Sequence, residues 1–180
     1  MLRLAAILIL AFTSFAGAQT PREKLEGFYK IPFGTPLEAV KAKLGPAAGE
    51  SYWQSEDKTV RLKTITHHDP DLKIGGRSHF VTYYFSAEEK LIAAAFVAKY
   101  QSKEEDDVAA CYRASAVMKD IIAQHGQPNS QREREGALYV LFSFKDGSEI
   151  EARIDSEDND CELRLVLRSA EGEKRKLFDD

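Results

Sequence analysis

The sequence predicts an α+β fold: two tandem helix–strand–strand–strand units forming an antiparallel sheet, with the helices packed on one face. Three observations predict it. A short helix is written into 36–44 with a start signal and a stop signal. A longer helical segment, 102–128, has the same glycine-then-proline exit, Gly45-Pro46 in the first and Gly126 with Pro128 in the second. Strand-like runs follow each helix, some alternating and some continuously apolar. The predicted organisation is a signal peptide at 1–18, a lead-in at 19–30, a first unit at 31–100, a second at 101–170 and a charged tail at 171–180.

Composition sets the class. The chain has 180 residues, 43% hydrophobic and 30% charged, which is too apolar for a disordered chain and ordinary for a folded one. Net charge is −4 with the signs interspersed, so no concentrated basic face argues for nucleic acid. Arg3, the apolar run 4–12 and Ala16-Gly17-Ala18 have the order of a secretory signal, with the mature chain expected to start at Gln19. No cysteine stands at that junction, and no later run is apolar enough to span a bilayer. The expectation is a periplasmic or secreted protein with no stable membrane anchor.

Each element has its reason. Thr35 can cap the first helix, Pro36 suits its first position, and Glu38 completes a capping box. Leu37, Val40 and Leu44 share one face. The stretch 47–57 reads as a turn region, with Trp53 covering the edge of the core. Residues 59–66 alternate, with Val60, Leu62 and Thr64 on one side and Arg61 and Lys63 on the other. The aromatic, β-branched run 78–85 is a strand, and the apolar run 91–98 is a strand buried on both faces. Ser102 with Glu105 forms a second capping box, opening one long helix that carries Val108, Cys111, Met118 and Ile121 on one face. The runs 137–144 and 148–154 flank a tight Asp146-Gly147 turn. The last strand, 161–167, alternates, with Arg164 and Arg168 outward.

Cys111 and Cys161 are the chain's two cysteines. In an oxidising compartment an even pair points to a disulfide, here tying a helix to the last strand; two separately buried thiols are the alternative.

The most chemical-looking cluster is His67-His68-Asp69, at the head of a loop that runs to Gly75-Gly76-Arg77. Imidazole and carboxylate suit a transition metal. Neighbouring side chains on a strand point to opposite faces, however, so both histidines meet one ion only if the backbone turns sharply. Gly75-Gly76 can cradle an anion, or simply punctuate a loop. The acidic turn at Asp155, Glu157, Asp158 and Asp160 lacks the glycine and terminal glutamate of a calcium loop. His79 and His125 have no nucleophile partner at motif spacing. No cofactor and no catalytic set is expected.

Gly34, Thr35, Val40, Leu44, Gly45 and Pro46 resemble the helix-entry pattern of the SmpA/BamE-type outer-membrane assembly lipoproteins. That fold is related to the tandem helix-plus-sheet build of the β-lactamase-inhibitor proteins. The resemblance covers about fourteen residues and implies an envelope protein that acts by binding, without catalysis; it carries over no active-site residue. The functional expectation is a non-catalytic module that binds an envelope protein or peptide through the open sheet face, using Arg61, Lys63, Tyr83 and Phe85. The rival is a metal or small-molecule binder using loop 67–77, with His67, His68 and Asp69 as ligands. A structural envelope protein with no dedicated ligand is the third possibility.

Overall fold

The computed structural model describes residues 23–46, 48–55, 58–102 and 107–173. The signal at 1–18, the Glu105 capping box and the tail beyond 173 lie outside them. A small hairpin of β1 (Gly27–Phe28) and β2 (Ile31–Pro32) leads into α1 (Leu37–Leu44). Four strands follow: β3 (Gly49–Gln54), β4 (Arg61–His68), β5 (Phe80–Phe85) and β6 (Leu91–Gln101). After α2 (Val108–Ala114) and α3 (Ala116–His125) come β7 (Ser130–Arg134), β8 (Ala137–Ser143), β9 (Glu149–Glu157) and β10 (Asp160–Arg168), then α4 (Ala170–Glu173). Among the described residues no helix is long and apolar enough to cross a membrane.

The expected helix–strand–strand–strand units do not form. The protein is mostly β: eight strands make one antiparallel sheet in the order β3-β4-β5-β6-β10-β9-β8-β7. The added strands are β3 and β7, and both are edges. An edge strand has solvent around it, so its residues need not alternate; β7 (Ser-Gln-Arg-Glu-Arg) is exposed throughout and β3 nearly so. Without periodicity, the first reads as a turn region and the second gives no strand signal.

The helices also depart from expectation. Thr35 does not cap α1; its hydroxyl donates to the Pro32 carbonyl at 2.6 Å, and Glu38 pairs with Lys41. The helix opens instead against the 86–90 turn, where the Leu37 N–H reaches the Glu89 carbonyl at 2.8 Å. Its exit is as written, with Gly45 at φ 78° and its N–H on the Lys41 carbonyl. The long second helix is two. Asp107 caps α2 through the Ala109 N–H, and Ser115 interrupts the helix and caps α3 through the Met118 N–H at 3.1 Å. A serine whose side chain bonds the backbone three residues on favours a new start over continuation.

One face of the sheet carries the main core. Ile65, Tyr83, Ala94, Leu167, Ile150 and Phe142 form a row across six strands by register. Leu37 and Val40 of α1, Cys111 of α2, and Val117, Met118 and Ile121 of α3 join the same cluster. Cys111 is disulfide-bonded to Cys161 at the start of β10, with the Cα atoms 5.7 Å apart, so α2 is pinned to the sheet. The fourth helix breaks the rule of helices on one face. Gly172 lies against the Ile92 backbone and the Arg168 side chain, on the sheet's other side.

Candidate functional site

Alternation decides which side chains can meet a ligand. Lys63 pairs with Phe85 and Ile65 with Tyr83 in register, so Lys63, Tyr83 and Phe85 lie on one face of the sheet. Their face, however, is the one the helices cover. Tyr83 is 1% exposed and Phe85 0%, so neither belongs to a contact surface. Burial pushes the Tyr83 hydroxyl up to about 12, with the Asp69 carboxylate adding to it. Lys63 sits at the rim of that face in an ion pair with Glu89, which raises its ammonium above the usual lysine range. Arg61 lays its guanidinium over the exposed Tyr52 ring, 4.2 Å from its centroid. The reason for the inversion is β5 itself: Phe-Val-Thr-Tyr-Tyr-Phe has aromatics on both sides, and periodicity cannot tell which side is in.

The loop 67–77 does not assemble a metal centre. His67 and His68 point to opposite faces. The buried Nδ1 of His67 has no hydrogen-bond partner among the described residues. His68 lies against the Phe80 ring at 4.8 Å and reaches the Ser78 hydroxyl through Nε2 at 3.2 Å. Asp69 accepts the Asp71 N–H and so shapes its own turn. Among the described residues no group of three or more histidine, cysteine or acidic side chains is placed to hold a metal ion. Gly75 closes the loop onto α3: its N–H bonds Asp120 Oδ2 at 2.9 Å, and a Cβ there would lie 2.8 Å from the Val117 nitrogen.

The other face of the sheet carries the site that sequence reasoning missed. At one end, Leu62, Tyr84, Ile92 and Ala93 form a second buried cluster, with Trp53 set edge-on to Tyr84 at 6.3 Å. Burial pushes the Tyr84 hydroxyl up to about 12. Arg168 was expected outward; it is 4% exposed and bonds Glu151, with Glu149 3.8 Å away. Beyond this covered end lies a groove of about 810 Å³, lined by Phe80, Val97, Val166, Arg164, Arg153 and Tyr139. Phe80 is 67% exposed and Val97 46%, the two most exposed large apolar side chains on that face.

Its charges lie in rows. Val97, Arg164, Arg153, Tyr139 and Arg132 are successive register partners across five strands. The next row holds Glu162 directly opposite Asp155. Two of the arginines pair along their own strands, Arg153 with Asp155 at 2.9 Å and Arg164 with Glu162 at 3.0 Å. The Arg164 bond, with help from Lys99, holds the Glu162 carboxyl below its ordinary range. The Tyr139 ring lies between the guanidinium carbons of Arg132 and Arg153, at 5.9 and 5.8 Å. Such a surface can bind and orient a polar chain. The missed signal is the even-numbered positions of β5 and the odd-numbered positions of β6 read together with the arginines of β9 and β10, which no single strand displays. Compared with known protein families, with characterised proteins and with solved structures, the chain matches none.

Proposed function

We propose that the protein is an exported, non-catalytic binding module that takes a segment of an envelope protein on the uncovered part of its sheet. The observation that carries this reading is Phe80. It stands two-thirds exposed on a strand whose neighbouring aromatics are buried, at the mouth of a groove that no described helix covers. An exposed aromatic beside exposed valine on a rigid sheet is the composition of a contact surface. Export is supported by the disulfide, which suits an oxidising compartment, and by the signal-like sequence 1–18. The resemblance of 33–46 to envelope lipoproteins that act by binding supports the same setting.

A photo-crosslinking residue at position 80 tests it. Crosslinking in an envelope extract is expected to trap one discrete partner from position 80 and nothing from position 133, on the exposed edge strand. Equal trapping at both positions, or none at either, would remove the face from the proposal.

A further inference from the structure

We infer that the groove selects an extended protein segment carrying an aspartate or glutamate two residues from a bulky apolar side chain. This rests on the proposed binding face and names its ligand chemistry. The first observation is the charge layout. Arg164 and Arg153 stand directly opposite each other, and so do Glu162 and Asp155. Like charges across neighbouring strands oppose folding, and both carboxylates lie on the same side of the arginine row. The row on the other side holds Ala95, Val166 and Glu151, and Glu151 is engaged by Arg168. Arg164 therefore takes its carboxylate partner from one side of the row, and its neighbours on the other side, Val166 and Ala95, are apolar.

The second observation is what Arg164 leaves unused. It donates to Glu162 through Nε, its side chain is 54% exposed, and its two terminal nitrogens have no protein partner among the described residues. That planar fork matches a carboxylate with two parallel hydrogen bonds. The third is spacing. Val97 is the register partner of Arg164, and Phe80 lies one strand further on. Strands lie about 4.8 Å apart, so the apolar anchor is about 5–10 Å from the arginine fork. Two residues of extended chain span about 6.7 Å, which places the acidic and apolar side chains of such a segment over those two points.

A polyanion fits less well. Glu162, Asp155 and Glu151 lie in or beside the same groove, and the whole chain carries −4. A nucleic acid or sulfated sugar would meet those carboxylates at every repeat, whereas a single carboxylate avoids them.

The test is an NMR titration of the protein with acetyl-Ser-Glu-Ser-Phe-Ser-amide, its Glu→Lys and Glu→Gln counterparts, and a heparin fragment. The acidic peptide is expected to shift the amides of Val97, Arg164 and Phe80, with the lysine version at least tenfold weaker. Arg164→Gln is expected to weaken the acidic peptide about tenfold, as loss of a charge-assisted fork does, while Arg134→Gln leaves it unchanged. Equal binding of the three peptides, no shift of those amides at millimolar peptide, or tighter Arg164-dependent binding of heparin would each overturn the inference. If the peptide fails while position 80 still traps a discrete partner, the ligand class falls and the face stands; if both fail, the face falls too.

Discussion

Arg168 of β10 donates to Glu151 of β9 from a position where 5% of its side chain is exposed, and the carboxylates of Glu149 and Glu151 flank it from the same strand. Its level on the sheet is the one that α4 covers, next to Ala93 and Ile92. A guanidinium taken out of water is tolerated there because two carboxylates receive it.

Removing that guanidinium leaves two like charges side by side under a helix. Arg168→Ala is expected to cost about 2–3 kcal/mol, below the 3–5 kcal/mol of a fully buried pair because both carboxylates keep some contact with water. Arg168→Met should cost less than the alanine change, since it refills the volume. Urea denaturation of both variants checks the order.

The disulfide closes a loop of 50 residues between α2 and β10. In the chain-entropy account, closing a loop of that length is worth about 4 kcal/mol. The Cys111→Ala/Cys161→Ala variant should lose about that much, and a reducing agent should lower the midpoint of the parent protein and leave the variant's unchanged.

Two aromatic neighbours on β5 have opposite expectations. Tyr83→Ala empties a fully buried site and should cost about 3–5 kcal/mol. Phe80→Ala, on the exposed side, should change stability by less than about 0.5 kcal/mol while abolishing the shifts that the acidic peptide induces at the Val97 and Arg164 amides. Paired denaturation and binding measurements separate the two roles; a large stability loss for Phe80→Ala would place it in the core instead.

Alkaline pH should unfold the protein late and cooperatively. Tyr83 and Tyr84 both have hydroxyls pushed up to about 12 by burial. Their folded-state values lie above the unfolded value of about 10, so their contribution is whole below pH 10 and is lost as pH rises towards 12. Absorbance at the tyrosinate band should show exposed tyrosines ionising first and these two ionising together with the loss of circular dichroism.

How far the sequence could be read follows from burial. The strands on either side of the sheet's centre, β6 and β10, were legible because their residues repeat or alternate strongly; Leu91, Ala94, Leu163 and Leu165 are all nearly inaccessible. Gly45 and the Asp146-Gly147 turn were legible because their backbone geometry suits few residue types; Gly147 sits at φ 83°. The edges were not, since Gly49–Gln54 and Ser130–Arg134 touch solvent on both sides and need no pattern. The break at Ser115 was hidden because Val108, Cys111, Met118 and Ile121 keep helical spacing across it. The site was illegible for a different reason: it is a row of residues drawn from 80, 97, 132, 139, 153 and 164, and only pairing brings them side by side.

The meeting of β6 with β10 has a consequence for how the chain comes together. Each half of the sheet joins strands that are neighbours in sequence, but this seam joins Ala93 to Arg168 and Gln101 to Asp160. Contacts so distant along a chain form late. Until the final strand emerges, Leu91–Gln101 presents a bare, oily hydrogen-bonding margin to whatever else is unfolded nearby. A nascent chain interrupted before residue 160 is therefore a ready seed for clumping, and the completed one seals itself with its last strand.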